Sequence, residues 1–277
     1  MSNFRPRRPA NIALNLCAYV IVFFNFIPLL WMFIASLKPR SAPVNVISTL
    51  INPPFITDNY VYVAQNAPIL RWLFNSFYIA FVVTMVVLSI TSLAAFSFSQ
   101  LKFRGHTIVY SIVIAGLMVP IEVTIIPLFL TMVEQRLINT HLGIMLPSFA
   151  APLGVLVLKN YFDSVPKELN EAAIIDGAGP ARIFFNIFFP LARSSLAAVG
   201  IFTFISSWNN FLWPFISITA KNQMTLPIGL PMFQGTYTME LSIPMAANVI
   251  ASFPAILMFV FLQKHIIRGI AMTGIKG

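Results

Sequence analysis

Six long apolar stretches separated by short polar segments restrict the fold of this chain of 277 residues more than any other feature. A helix needs about 20 mostly apolar residues to cross the hydrocarbon core of a bilayer. Each of the six stretches is therefore predicted to be a membrane-spanning helix. They cover roughly 12–35, 72–98, 107–130, 141–159, 194–217 and 245–263.

The composition agrees with a membrane protein. Hydrophobic residues make up 58% of the chain and charged residues only 9%, and the mean hydropathy is +0.85. Soluble domains carry about a quarter charged residues. A soluble core could not hide this much apolar surface. The composition excludes a soluble enzyme, a disordered protein and a coiled coil.

The distribution of Lys and Arg predicts the orientation. Both termini are placed in the cytoplasm, because membrane proteins concentrate basic residues on that side. This choice leaves five of the 17 basic residues outside, namely Lys38, Arg40, Arg71, Arg136 and Lys221. No basic stripe with interleaved aromatic residues is present, so nucleic acid is not an expected partner.

Several prolines lie within the predicted spans. Proline removes a backbone N–H and bends a helix. Bent spans occur where a pathway opens and closes, but membrane bundles also tolerate proline without such a role, and the sequence leaves both readings open. These prolines are Pro28, Pro120, Pro127, Pro147, Pro152 and Pro254.

The segment 163–190 is the most charged predicted cytoplasmic loop. Asp163 or Ser164 is a suitable N-cap, and Pro166 suits a first helical turn. A first helix is predicted to run to about Asp176.

A glycine turn and a second short helix follow in this loop. Gly177 is expected to adopt the left-handed conformation that ends many helices. Gly179 and Pro180 restart the chain into a helix that stops near Pro190.

The first helix of the loop is a candidate docking element. Leu169, Ala172, Ala173 and Asp176 are expected to share a face, which the two alanines make thin. Such a face fits the groove of another protein, with Glu171 available for an ion pair. The alternative is a helix lying on the membrane surface, but an anionic leaflet would repel its acids.

The same loop resembles the signature of the permeases of binding-protein-dependent ABC importers. Glu171-Ala172-Ala173, Gly177, Ile187 and Pro190 match the residue types and spacing of that signature. One position departs, because Phe189 stands where leucine is usual. The resemblance implies that the loop docks on an ATPase subunit through Glu171, Ala172, Ala173, Asp176, Gly177, Ile187 and Pro190.

Other segments extend the resemblance over most of the chain, including 72–76, 95–105, 208–214 and the tail 263–277. They are similar to the carbohydrate branch of that family, in particular to the shorter permease subunit of maltose-type importers. The resemblance implies an all-α type I ABC importer transmembrane domain spanning 1–277, with a coupling loop at 163–190 and a cytoplasmic tail at 264–277. It also implies a bacterial or archaeal plasma membrane.

The resemblance further implies a division of labour among subunits. The expected partners are a second homologous permease, two ATP-binding cassette subunits and an extracytoplasmic solute-binding protein. This chain contains no Gly-x-x-x-x-Gly-Lys-Ser/Thr phosphate loop. It is expected to be a transport subunit without catalytic residues, metal or cofactor, and ATP with Mg²⁺ is expected on the partner ATPases.

Candidate pathway residues lie within or beside the spans. Glu122 is an ionisable group in the third span, which is a functional hypothesis by default, although it could also form a structural ion pair or lie near the interface. Asn75, with Ser76 beside it, and a polar patch in the fifth span could bind sugar hydroxyls or join helices together. The patch comprises Ser206, Ser207, Trp208, Asn209 and Asn210.

Three alternatives stay open at the level of the residues. An ion-gradient-driven transporter would need embedded charges, of which only Glu122 qualifies. A membrane enzyme would need a metal cluster or a nucleophile with its base. A purely structural subunit would use the 163–190 loop only for assembly.

Overall fold

The computed structural model describes residues 9–234, 240–254 and 256–257. In these ranges every regular element is helical and no strand occurs. The predicted all-α class is therefore confirmed.

Within the described ranges, two helices are long and apolar enough to cross a membrane alone. The first, α1, is Pro9–Ser36, and its residues 14–30 are all exposed. The other, α4, is Ile69–Gln100, and half of its most apolar window is buried by neighbouring helices. Between them lie the short helices α2, Ile47–Ile51, and α3, Asp58–Asn66.

Three further spans are possible if each of three bent helix pairs counts as one. In the first pair, α5, His106–Ala115, continues as a 3₁₀ turn to Met118 and bends by 102° into α6, Ile121–Glu134. In the second, α7, His141–Ser148, bends by 43° into α8, Pro152–Asp163. Pro120 and Pro152 lie at these two bends, where the missing N–H costs no helical hydrogen bond, whereas Pro127 and Pro147 lie inside α6 and α7.

The third bent pair follows the helix α9, Lys167–Ile175. It begins with α10, Pro180–Ile183, continues through a π turn, Phe184–Phe188, and α11, Phe189–Leu191, and bends by 78° into α12, Arg193–Trp208. After α12 come α13, Leu212–Ser217, and α14, Leu226–Gly229. A last described helix covers 242–254.

The fifth span differs from the predicted stretch 194–217, and the sixth is described only in part. α12 ends at Trp208, and the rest of the predicted stretch forms the separate helix α13. The Trp213 indole Nε1–H donates to the carbonyl of Gly143 over 3.0 Å, which fixes α13 on α7. The sixth predicted span, 245–263, extends past residue 257 and so lies partly outside the described residues.

The chain forms two compact units, one of Met1–Pro68 with Leu230–Phe253 and the other of Ile69–Gly229 with Pro254–Gly277. In the second unit α4 is the central helix and packs on α8 and α12. Small residues allow this close approach, since a Cβ on Gly154 would lie 3.0 Å from Thr91 and one on Gly200 would lie 3.2 Å from Leu88.

Candidate functional site

The helix α9 in the 163–190 loop begins later than predicted. Asp163 ends α8, Ser164 follows as the cap of α8, and α9 starts at Lys167 after Pro166. The predicted N-cap at Asp163 or Ser164 is therefore wrong. The Asp163 carboxylate has other partners, because Lys159 Nζ and the Ser99 hydroxyl each donate to it over 2.6 Å.

The predicted left-handed turn at Gly177 is confirmed. Its φ is +76°, and its N–H donates to the carbonyl of Ile174 over 2.9 Å. The next N–H, from Ala178, donates to the carbonyl of Ala173, also over 2.9 Å. These two bonds form a Schellman motif, which satisfies carbonyls at the end of α9 and turns the chain toward the next helix.

The second helix of the loop begins at Pro180 as predicted and contains a π turn. The Phe189 N–H donates to the carbonyl of Phe184, five residues earlier. Wide turns of this kind often occur at functional positions in helices. The turn directs Phe184 and Phe188 into the protein, where both are buried.

An aromatic cluster lies beneath the loop. The Phe96 ring of α4 lies 5.3 Å from each of the rings of Phe184 and Phe188, measured between centroids. The Phe162 ring of α8 lies 5.6 Å from Phe188. Ala173 of α9 is buried in the same cluster. The inner side of the loop is thus packed against the ends of α4 and α8.

A chain of side-chain hydrogen bonds joins the same elements. Asn170 Nδ2 on α9 donates to Gln100 Oε1 at the end of α4 over 3.1 Å. Gln100 Nε2 donates to the Ser99 hydroxyl over 2.8 Å, and that hydroxyl donates to Asp163 of α8. Packing and hydrogen bonds together hold α9 against two helices of the bundle.

The outward surface of α9 combines acidic and apolar side chains; we call it the α9 surface. Ile175 is 85% exposed, although isoleucine is among the residues most often buried. The exposed Phe185 lies on the following helix of the same loop. The α9 surface comprises Glu171, Ala172, Ile174, Ile175 and Asp176, all exposed.

The seven predicted docking residues separate into two groups. Glu171, Ala172, Asp176 and Gly177 are exposed, whereas Ala173 is buried. The remaining two, Ile187 and Pro190, are half-buried, and Ile187 packs on the aromatic cluster.

The predicted shared face of Leu169, Ala172, Ala173 and Asp176 is wrong at Ala173, because the other three are exposed and Ala173 is buried. Successive helical residues are turned by about 100° from each other, and the aromatic cluster takes Ala173. Sequence reasoning also missed Ile174, Ile175 and Phe185. The signal available for them was a pair of isoleucines in a charged helix directly before a glycine turn.

Asn75 has a structural role in the second unit. It is 3% exposed, and its side-chain Nδ2 donates to the carbonyls of Asn222 and Met224 over 3.0 and 2.8 Å. The neighbouring Ser76 hydroxyl accepts the N–H of Leu226 over 2.7 Å. These hydrogen bonds hold the segment after α13 against the start of α4. They favour a role in joining helices over a role in contacting the transported sugar.

Part of the polar patch predicted in the fifth span lines a cavity of about 390 Å³. Ser206, Ser207 and Asn210 line it together with Thr203 and Ser148, which sequence reasoning missed. The cavity lies between α4, α12 and the bend that joins α7 to α8. Its other lining residues are apolar or small: Val83, Ala151, Leu153, Gly154, Val157, Ala198, Val199 and Phe202.

The other predicted pathway residues do not line this cavity. Trp208 is buried, and its ring stacks on Phe204 with centroids 6.0 Å apart. Asn209 is exposed at the end of α12. Glu122 is exposed in the first turn of α6, directly after the 102° bend.

Comparison with known proteins identifies the class of this helical membrane protein. Residues 88–272 match the family model described as the binding-protein-dependent transport system inner membrane component. The chain is 35% identical to the arabinooligosaccharides transport system permease protein AraQ of Halalkalibacterium halodurans, over 93% of each chain. It is 30% identical to the lactose transport system permease protein LacG of Rhizobium radiobacter, over 97% of each chain.

A solved structure supports the fold. It is described as the crystal structure of a bacterial ABC transporter involved in the import of the acidic polysaccharide alginate. One of its chains matches with a TM-score of 0.75 at 22% identity, over 95% of this chain and 99% of that chain. The fold is that of a type I ABC importer permease. The chain belongs to the family of binding-protein-dependent transport system inner membrane components.

Proposed function

We propose that this chain is one of the two permease subunits of an ATP-driven carbohydrate importer. Its relatives are named for arabinooligosaccharides and lactose, which supports a sugar substrate. The other parts of the machine would be a second homologous permease, two ATP-binding cassette subunits that bind ATP and Mg²⁺, and an extracytoplasmic solute-binding protein. The proposed location is the plasma membrane of a bacterium or archaeon, with both termini in the cytoplasm.

The observation that carries the proposal is the α9 surface. Ile175 projects into solvent in this chain alone, and a partner protein would cover it. The acidic residues Glu171 and Asp176 flank it, which fits a protein groove better than an anionic membrane surface. Helix-in-groove docking uses this combination of a short helix with apolar anchors.

The support beneath α9 gives the docked loop a mechanical role. The Phe96 cluster and the Asn170–Gln100 hydrogen bond join α9 to the end of α4. When nucleotide closes the ATPase pair, the groove would move α9, and the ends of α4 and α8 would follow. Rigid-body movements of this kind are an established form of conformational coupling.

The cavity beside α12 is the proposed contribution of this chain to the pathway. Its serine, threonine and asparagine side chains can exchange hydrogen bonds with sugar hydroxyls. α12 begins shortly after the 163–190 loop and also lines the cavity. Movement of the loop would therefore displace α12 and change the shape of the cavity. In this scheme the whole of 1–277 works as a single permease domain. The tail 264–277, proposed to be cytoplasmic, lies outside the described residues.

Native mass spectrometry of the complex, purified in mild detergent from its own membrane, tests the proposal. The expected assembly contains this chain, one different permease and two ATPase copies. A chain that comes out alone or as a homodimer, without ATPase, would overturn the proposal.

The variant Ile175→Glu sharpens this test. It places a charge in the apolar centre of the α9 surface and should release the ATPase copies while the two permeases stay together. The control variant Ile47→Glu changes an exposed isoleucine of α2, in the predicted outer segment, and should keep the ATPase. Equal ATPase content in both variants would argue against docking through α9.

A further inference from the structure

Lys38 is a buried lysine in the first unit that no acidic side chain of the chain neutralises. Its side chain lies in the segment between α1 and α2 and is 1% exposed. All eight acidic residues of the chain lie within the described ranges, and their one ion pair there is Asp163 with Lys159. The eight are Asp58, Glu122, Glu134, Asp163, Glu168, Glu171, Asp176 and Glu240.

The contacts of Lys38 compensate its charge only in part. Its Nζ donates to the carbonyl of Asn52 over 2.5 Å and lies 3.6 Å from the centroid of the Phe55 ring. A lysine ammonium carries three N–H donors, and one of them is used in this hydrogen bond. Burial of a cation is costly unless it is paired and hydrogen-bonded, so this position favours an added anion.

Lys38 is one of the residues that line a cavity of about 210 Å³, whose other lining residues are partly polar and partly apolar. Ser48 and Thr49 contribute hydroxyl groups, and Pro53 and Pro54 contribute rigid walls. Ser48, Pro53 and Pro54 are exposed, so the cavity reaches the surface of the unit.

The backbone around Lys38 is fixed, so the cavity is preformed. The buried Asn59 Nδ2 donates to the carbonyls of Ser36 and Lys38, each over 2.8 Å. The hydroxyls of Ser36 and Tyr60 lie 2.6 Å apart and share a hydrogen bond. A preformed site avoids part of the ordering cost of binding.

We propose that this cavity binds a carboxylate group supplied from outside the chain. Two carboxylate oxygens can accept the remaining N–H donors of Lys38 and a hydroxyl of Ser48 or Thr49, and charge-assisted bonds of this kind are strong. The charge-based orientation puts this segment on the outer face. The carboxylate we infer is an acidic side chain of the docked solute-binding protein, which rests on the proposed function, and a small free acid is the other outcome that the experiments distinguish.

The first experiment measures the affinity of the purified solute-binding protein for the whole complex in lipid nanodiscs. The variants are Lys38→Met, which removes the charge, and Thr49→Val, which removes only a hydroxyl. We expect Lys38→Met to weaken binding roughly tenfold or more and Thr49→Val to weaken it less. The matched control is Arg40→Met, because Arg40 is exposed and lies over the Tyr62 ring, away from the cavity lining.

The second experiment replaces chloride by acetate at constant ionic strength, without the binding protein, and measures the thermal unfolding midpoint of the complex. A free carboxylate site predicts that acetate raises the midpoint of the wild type and not that of Lys38→Met. Acetate stabilisation with unchanged binding-protein affinity assigns the site to a free acid. Weakened affinity in Lys38→Met and Thr49→Val, with Arg40→Met unchanged, assigns it to the binding protein.

If the variants change neither the binding-protein affinity nor the response of the unfolding midpoint to acetate, the inference is overturned. Lys38 is then a purely structural residue. If Lys38→Met does not assemble, Thr49→Val decides the matter by the same two readouts. A wild-type complex that does not bind its binding protein at all contradicts the proposed function instead, and the acetate experiment still tests the site.

Discussion

Gly177 is the residue on which the geometry of the 163–190 loop depends most. Its positive φ lets α9 end in a Schellman motif and leaves Ile175 and Asp176 in the last turn before the bend. A Cβ on Gly177 would meet no atom within 4 Å, so the restriction there is one of backbone conformation alone. A side chain at this position therefore changes the direction of the loop without a steric clash elsewhere.

Replacing Gly177 by valine should impair coupling between transport and ATP hydrolysis. A β-branched residue in the left-handed region costs about 1–3 kcal/mol, and the turn can relieve that strain by opening. Gly179→Val is the matched control, because Gly179 has φ −75° and its Cβ would also meet nothing within 4 Å. We expect sugar uptake in proteoliposomes to fall strongly in Gly177→Val and to stay near wild type in Gly179→Val. Equal uptake in the two variants would show that the left-handed turn is not required.

Residues could be predicted where a local rule determines them. The conformation of Gly177 follows from the end of a short helix before a glycine, so the sequence was sufficient there. The positions of Ala173 and Asn75 were not accessible in this way. Ala173 is buried by aromatic rings from α4 and α8, and Asn75 bonds to carbonyls almost 150 residues away in sequence. Both depend on tertiary contacts that no local pattern records.

At the scale of elements, α4 connects the 163–190 loop to the rest of the second unit. Its C-terminal end carries Phe96 and Gln100, which contact the loop, and its middle packs on α8 and α12. A displacement of α9 is therefore expected to be transmitted to α4 and α8 together. The Asn170–Gln100 bond is the polar part of this connection, and it can be removed without disturbing the aromatic cluster.

The variants Asn170→Ala and Gln100→Ala should each lower the sugar transported per ATP hydrolysed. One hydrogen bond contributes about 1 kcal/mol, so a decrease of roughly fivefold or less is expected. The double variant should be no worse than the more severe single variant, because both changes remove the same bond. Asn160→Ala, on the exposed side of α8, is the control. Additive effects in the double variant would mean that the two residues act separately.

The long helices could be predicted from the sequence, but the point at which α12 ends could not. α1 and α4 follow directly from long apolar runs, and two of the bends coincide with Pro120 and Pro152. The end of α12 did not follow from hydropathy, because the apolar residues 211–216 resume directly after Asn209 and Asn210 and extend the predicted stretch. Its separation depends on α7 and on Asn139, whose Oδ1 accepts the N–H groups of Thr219 and Ala220 over 2.6 and 2.9 Å. Those contacts lie 70 or more residues away in sequence.

For the molecule as a whole, the scarcity of acidic residues bears on the source of energy. Only eight acids occur in 277 residues, and four of them, Asp163, Glu168, Glu171 and Asp176, lie within the 163–190 loop. An ion-gradient-driven transporter needs ionisable groups inside the membrane to couple the ion to the substrate. Glu122, the candidate for that role, is exposed in the first turn of α6. The proposed function therefore assigns the entry of energy to the acidic 163–190 loop and gives Glu122 no coupling role.

Uptake by the reconstituted complex should therefore depend on ATP and not on an ion gradient. The measurement uses proteoliposomes with the binding protein outside, ATP inside and a labelled arabinooligosaccharide or lactose as the test sugar. Uptake should stop without internal ATP and persist when an ionophore collapses the proton and sodium gradients. Glu122→Gln should retain ATP-dependent uptake close to the wild-type rate, because it keeps the shape of the side chain and removes only its charge. Uptake that survives without ATP but stops with the ionophore, and that Glu122→Gln abolishes, would instead assign the energy to an ion gradient acting through α6.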